Sequence, residues 1–353
     1  MTKWYKHRVI WPLAALLALI LLNTISRPSF LSITVNAHGD LYGSLIDILR
    51  NSAPLMLVSL GMTMVIATRG IDLSVGAQMA ISGAVALTII AGSKSPNSFG
   101  TVAVAITVGV LITLFFGLWN GFLVSVVGIQ PIIATLVLML AGRGIAFLIT
   151  GGFITTITSP TYAFMAQGYV LGLPFAFFVS FGAIIIVSLV VRRTALGVLT
   201  ESVGINPAAS RLAGVRSRGI VWSLYGLSGL LAGIAGILYS SNIMAADSNA
   251  AGNLIELDAI LAVVLGGTSL AGGKFTIAGT VIGVFIIQTL TSTITFLGVP
   301  PAVTPVFKAI VVIIVCLSQS PRVRHWVTRL RPPRRPAPVL ESPAATTAER
   351  TAA

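Results

Sequence analysis

Long apolar runs follow one another along the chain with short polar breaks between them. They are Val9–Ile25, Ala53–Thr68, Leu73–Ala91, Thr101–Val127, Pro131–Ile149, Pro174–Val191, Ile220–Ser240, Leu257–Ala271, Thr276–Leu297 and Pro305–Gln319. Hydrocarbon offers backbone N–H and C=O groups no partners, so runs of this length are helices that satisfy themselves. The pattern predicts an all-α fold, a polytopic membrane helical bundle of about ten transmembrane helices. Very little separates Ala53–Thr68 from Leu73–Ala91, and if the shorter runs are re-entrant or merged the count falls to about eight or nine.

Lysine and arginine sit mainly on one side of this pattern. With the N-terminus inside, the cytoplasmic side receives Lys3, Lys6, Arg8, Arg69, Arg192, Arg193, Arg211, Arg216, Arg218, Lys274 and the tail arginines. The outer side receives only Arg27, Arg50 and Lys94, an asymmetry that predicts cytoplasmic N- and C-termini and an even number of spans. Lys3, Lys6 and Arg8 before an apolar run imitate a secretory signal. No small-x-small cleavage site follows, so Val9–Ile25 reads as an uncleaved first span.

Composition narrows the function. Apolar residues make up 56% of the chain and charged residues only 9%, against roughly a quarter in soluble domains. No hydrophilic block is large enough for an enzyme domain. Residues 1–320 form one membrane domain with its longest hydrophilic segment at 192–219, and residues 321–353 form a basic, Pro/Ala/Thr-rich tail expected to be disordered near anionic headgroups. The net charge of +13 lies at helix ends and in the tail, which argues for membrane orientation and against nucleic acid.

Few side chains can carry chemistry. Cys316 is the single cysteine, which excludes a disulfide and a cysteine-ligated metal. His7, His38 and His325 fall outside the predicted spans, so neither a histidine relay nor an intramembrane metal site is expected. Gly266-Gly-Thr-Ser-Leu-Ala-Gly-Gly-Lys274 imitates a phosphate loop, but Thr268 stands where glycine is needed and Phe275 where Ser or Thr is needed. Its small residues break or tightly pack a helix instead. Gly117/Gly121, Gly229/Gly233 and Gly279/Gly283 have small-xxx-small spacing, which serves packing inside one bundle or at a subunit interface.

Candidate pathway residues are the polar groups left in apolar surroundings. Arg143 lies too deep in Pro131–Ile149 to snorkel and should face the bundle interior, paired with an acid or with carbonyls; by depth Asp72 is the acid nearest to it. Asp72 itself either caps the helix that follows or lines a path. Glu256 and Asp258, two residues apart, point to different faces of a helix and do not suit a paired acid/base site; they either stand at the mouth of a pathway or cap a helix. Asn120, Gln130 and Thr135 add uncharged polarity, and Trp119 offers a ring face to a sugar or simply packs. No catalytic constellation is present.

Within 192–219, Asn206-Pro-Ala-Ala-Ser-Arg-Leu-Ala-Gly214 has the parts of a short capped helix. Asn206 serves as N-cap and Pro207 as first residue, Ala208, Ala209, Arg211 and Leu212 fill the turns, and Gly214 takes the left-handed position past the end. A helix this short is marginal alone, so the membrane domain or a docked partner must hold it.

These residues resemble a known family. Gly70-Ile-Asp-Leu-Ser-Val-Gly76, Gly117-Leu-Trp-Asn-Gly121, Pro131-Ile-Ile-Ala-Thr-Leu136, Gly142-Arg-Gly144 and Glu256-Leu-Asp-Ala-Ile-Leu-Ala-Val-Val-Leu-Gly-Gly267 are similar to the ribose-type sugar permeases of ABC importers, from about Leu45 to Val315. Gly43-Ser-Leu-Ile-Asp-Ile-Leu49, Ile129-Gln-Pro131 and Leu254-Ile-Glu-Leu-Asp-Ala-Ile260 resemble the galactofuranose permeases within that family. The resemblance implies a multi-pass protein of the bacterial inner membrane that carries a sugar, galactofuranose in the first instance. It also implies a second permease subunit, a cytoplasmic ABC ATPase holding ATP and Mg, and a periplasmic sugar-binding protein, with no cofactor in this chain. Asn206 to Gly214 would be the helix that couples to the ATPase. Glu201 stands where many relatives carry a small residue. The alternatives are a permease for ribose, xylose or a similar monosaccharide, and a secondary transporter or channel that works without ATP; the latter predicts buried ion-coupling groups or inverted repeats.

Overall fold

The computed structural model describes residues 2–37, 39–300 and 303–319. The expected disordered tail (321–353), His38 and His325 lie outside the described residues. Thirteen α-helices occur among the described residues. In chain order they are α1 (Thr2–Ser26), α2 (Ser44–Ala67), α3 (Val75–Ala91), α4 (Phe99–Phe122), α5 (Pro131–Ile149), α6 (Pro160–Gln167), α7 (Phe175–Arg193), α8 (Leu196–Ile205), α9 (Pro207–Leu212), α10 (Ser217–Ile243), α11 (Ile255–Leu265), α12 (Ile277–Phe296) and α13 (Thr304–Gln319). Beside them stand short strand pairs, such as Tyr169–Val170 with Leu173–Pro174.

Local chemistry sets the breaks. After Phe122, α4 loosens into a π-helical turn over Leu123–Val127, which Gly128 ends in the left-handed conformation before Pro131 starts α5. Ser159 and Thr276 cap α6 and α12 by accepting the N–H groups of Tyr162 and Gly279.

Two helices organise the interior. From Val75 to Leu87 every residue of α3 is buried, enclosed chiefly by α4, α5 and α10. Glycines let α10 lie backbone to backbone with its neighbours. A Cβ on Gly117 would stand 2.5 Å from the Tyr225 carbonyl oxygen, and one on Gly236 2.3 Å from that of Met79. Gly283 meets the Ala262 carbonyl at 2.0 Å in the same way, fastening α12 to α11. The small-xxx-small pairs thus serve packing within this chain. Close backbone approach is how helices gain contact where lipid and leucine are equally apolar.

Among the described residues six helices are long and apolar enough to cross a membrane: α2, α4 with its π turn, α5, α7, α10 and α12. The count of about ten is therefore not reached by length and composition alone. The expected span Leu257–Ala271 differs most. Its helix, α11, has 11 residues and at 1.5 Å per residue covers about half of a ~30 Å hydrocarbon core. Left-handed Gly267, Gly272 and Gly273 turn the chain out of helix after Leu265. At its other end, α11 follows a segment that folds back into the bundle, where a Cβ on Gly76 would stand 2.3 Å from the Gly252 carbonyl oxygen. Irregular backbone of this kind is tolerated inside a membrane protein because it is covered by protein.

The bundle has two ends. Arg69, α8, α9 and the loop 266–274 gather at one. At the other lie the loop 92–98, whose Pro96 and Asn97 carbonyls accept from Ser159, the N-cap of α6, and from Thr161 within it, and the hairpin at 169–174.

Candidate functional site

Three groups of the predicted residues take up separate positions. The first is a buried polar centre where α2 gives way to α3. Asp72 is fully buried, and its Oδ1 accepts from the backbone N–H (3.1 Å) and hydroxyl (2.6 Å) of Ser74, while Oδ2 accepts from Ser228 Oγ of α10 at 2.8 Å. Ser74 Oγ in turn accepts from Gln78 Nε2 at 2.7 Å and from Asn120 Nδ2 at 2.9 Å. Thr135 of α5 donates to the Ile71 carbonyl at 3.2 Å. One carboxylate and its serine thus knit the α2–α3 break to α4 and α10, and the Ile71 carbonyl beside them ties it to α5. Asp72 orders the turn rather than supplying the N-cap of α3, the residue at that position being Ser74. Ser74, Gln78 and Ser228 were not singled out in the sequence, since nothing in apolar periodicity says which small polar residues converge.

The second group surrounds Arg143. Its Nη1 donates to the Ser248 carbonyl at 2.9 Å and to that of Ala251, and Glu256 is the foremost anionic neighbour acting on the guanidinium. The expected pairing with Asp72 is not made. Asp72 spends its oxygens on Ser74 and Ser228, while the refolded segment before α11 presents bare carbonyls to Arg143. Glu256 is 5% exposed, with Oε2 lying 2.6 Å from where a Cβ on Gly76 would stand. Arg143 therefore pins irregular backbone and faces the acid at the start of α11.

Asp258 marks the third group, and it points away from Glu256 as the two-residue spacing requires. Its Oδ2 accepts from Lys308 Nζ of α13 at 2.6 Å. The ion pair lines a cavity of about 1020 Å³ that also takes in Tyr239, Asn253, Thr291 and Thr295. Lys308 is a site residue the sequence reading missed. The available signal was a lone lysine four residues into the run that begins at Pro305. Trp119 and Gln130 join none of these groups: Trp119 is half exposed on α4 and stacks on Phe122, and Gln130 is exposed at the start of α5.

The segment 207–212 folds as its sequence dictates. Asn206 Oδ1 accepts the N–H groups of Ala208 (3.1 Å) and Ala209 (3.0 Å), and Pro207 opens α9. Past the end, Gly214 is left-handed (φ +83°), its N–H bonds the Arg211 carbonyl, and Val215 N–H bonds that of Ser210. This pair of bonds is the Schellman closure. Arg211 Nε donates to Ser217 Oγ at 3.1 Å, tying α9 to α10, while Leu212 is 91% exposed. Nearby on α8, burial pushes the Glu201 carboxyl above the ordinary glutamate range, and Lys274 draws it partly back.

Comparison with known proteins places this architecture. Residues 44–316 match the family described as branched-chain amino acid transport system / permease component. The chain belongs to this family. Among its relatives, the galactofuranose transporter permease YtfT of Escherichia coli K12 is 46% identical over 92% of this chain and 95% of its own length. The fructose import permease FruF of Bifidobacterium longum is 40% identical, covering 93% and 92%. The ribose import permease RbsC of Bacillus subtilis is 36% identical, covering 87% and 91%. No solved structure matches. The permease is thus a multi-pass membrane component of a sugar ABC importer and not an enzyme.

Proposed function

We propose that this permease carries galactofuranose inward across the bacterial inner membrane. A separate cytoplasmic ABC ATPase hydrolyses ATP, a second permease subunit completes the pore, and a periplasmic binding protein delivers the sugar. In this reading the Arg69 end of the bundle is cytoplasmic, both termini lie there, and about ten segments traverse or enter the bilayer. The cargo reading is supported by the 46% identity to the galactofuranose permease, and the ATP-driven reading by α9, a two-ended capped helix fixed to α10 with Leu212 projecting free of its own chain. A short helix closed at both ends and apolar at its tip is a knob for another subunit. Asn206 to Gly214 is accordingly the coupling element. Asp72, Asn120, Arg143, Glu256 and Asp258 are assigned to the pathway or its walls, and Trp119 and Gln130 to its approach.

Two experiments test this. The chain is purified from membranes with its neighbours, and an ATPase and a second permease should accompany it. Gly214→Val then puts a β-branched residue at a left-handed position, at a cost of at least about 1 kcal/mol. Stimulation of ATP hydrolysis by the sugar-loaded binding protein should fall while membrane insertion survives. Normal stimulation in that variant removes α9 from the coupling role. Galactofuranose uptake that ribose or fructose abolishes by competition moves the cargo to one of those sugars, as the fructose and ribose names among the relatives suggest.

A further inference from the structure

Arg69 occupies a position that ordinarily belongs to glycine. It follows the end of α2 in the left-handed conformation (φ 66°), its N–H bonding the Ile66 carbonyl while Gly70 N–H bonds that of Val65. This is a Schellman closure with arginine at the left-handed residue, although Gly70 stands one position later. An L side chain is strained there and persists only where its surroundings over-determine it.

Its side chain supplies the reason. Arg69 Nε donates to the Gly204 carbonyl at 2.6 Å and Nη2 to the Ile205 carbonyl at 2.5 Å. These are the last carbonyls of α8, where a cation is favoured by the helix dipole. Ile205 immediately precedes Asn206, the N-cap of α9. Three stretches of backbone meet at this point, with glycine on two of them. A Cβ on Gly204 would stand 1.9 Å from the Ala67 carbonyl oxygen, Gly273 N–H donates to that same oxygen at 2.9 Å, and a Cβ on Gly272 would stand 2.5 Å from Arg69 Cγ. The glycine loop so held leads directly back into α11, which carries Glu256 and Asp258.

We infer that Arg69 is a positioning residue for transport. Its guanidinium fork bolts the root of the coupling helix to the end of α2, whose Ala67 carbonyl holds the 266–274 loop, so that displacement of α9 by the ATPase moves α11 and its acids. This inference rests on the coupling role proposed for α9. A flat fork with two parallel N–H groups is needed to hold two successive carbonyls; a lysine ammonium supplies the charge without that geometry. The competing reading, that Arg69 serves only as an inward-fixing positive charge, therefore makes a different prediction for lysine.

The test uses the complete transporter in proteoliposomes, with the sugar-loaded binding protein present, and reads sugar transported per ATP hydrolysed. Arg69→Gly keeps the left-handed turn and relieves its strain, so the complex should fold and retain its ATPase. Its sugar-to-ATP ratio should drop roughly 10-fold, a typical size for coupling between sites. Arg69→Lys keeps the charge and should recover less than half of that loss. Wild-type coupling in either variant overturns the inference, as does a parallel fall of uptake and hydrolysis that leaves the ratio unchanged. If Gly214→Val leaves stimulation intact, or no ATPase accompanies the wild-type chain, the coupling proposal fails instead, and the two failures are told apart.

Discussion

Arg143 shows how a charge in a membrane interior is compensated when its hydrogen bonds go to backbone carbonyls and not to an acid. Its depth was legible because one arginine interrupts a long apolar run; its partners were not, because carbonyls become available only once the chain before α11 abandons helix. Two carbonyls and one nearby carboxylate share the work, which sets the expected mutational pattern. Arg143→Ala should destabilise the permease by about 1–3 kcal/mol, since it removes the charged donor of the Ser248 and Ala251 carbonyls and leaves Glu256 without its nearby guanidinium. Glu256→Gln in that background should restore part of the loss, whereas Arg143→Ala and Asp72→Asn should add to within about 0.5 kcal/mol, having no shared partner. Denaturant unfolding of the detergent-solubilised chain measures both cycles, and coupling to Asp72 in place of Glu256 would reverse the assignment. Glu201 offers a pH test. Burial raises its folded-state pKa, so the folded protein carries a penalty above that value that is absent once the acid is neutral in both states. Glu201→Gln should raise the melting temperature at pH 7. That gain should shrink as pH falls through the raised value and vanish below about 4.3. A gain that persists in acid would point to a cause other than ionisation.

Among the elements, legibility followed locality. The caps of α9 were readable because Asn206, Pro207 and Gly214 act within a few residues of the backbone groups they satisfy. The half-length of α11 was not, because the apolar run passes through Gly266 and Gly267 without a polar residue to mark the helix end. What ends it is tertiary: a Cβ on Gly266 would stand 2.4 Å from the Gly279 carbonyl carbon, and the loop beyond is fastened to Ala67 and Arg69. The glycine spacings were legible as packing, but their partners depend on which helices the fold brings together. The depth of that packing can be checked by substitution. Gly283→Val would drive side-chain atoms into the Ala262 backbone, where no flexible neighbour can yield, and should destabilise by about 1–3 kcal/mol or block assembly. Gly182→Val, on α7 with nothing within 4 Å of its Cβ position, carries only the change in helix propensity and should stay within about 1 kcal/mol. Equal melting temperatures for the two variants would mean that α11 and α12 do not lie backbone to backbone.

At the scale of the whole molecule, the class of fold was readable from hydropathy alone, because a bilayer leaves helices as the only way for such runs to satisfy their backbones. The sidedness is a subtler matter of charge. Arg69, Arg192, Arg193, Arg211, Arg216, Arg218 and Lys274 belong to segments at the α8–α9 end, and Lys94 belongs to the loop at the other. Excess Lys and Arg in short loops marks the cytoplasmic face, so the α9 end should face the ATP supply and the Lys94 end the periplasm. The chain is well suited to testing this, since Cys316 is its single cysteine and Cys316→Ser leaves a background free of thiols. Ser95→Cys and Leu171→Cys would place a thiol on exposed positions at the Lys94 end, and Ala195→Cys on an exposed position beside α8. A membrane-impermeant thiol reagent added to cells with permeable outer membranes should label the first two at once. Ala195→Cys should react only after the inner membrane is opened. Labelling of Ala195→Cys in intact spheroplasts would turn the permease over, put α9 out of reach of any cytoplasmic ATPase, and with it remove the Arg69 fork from the path of coupling.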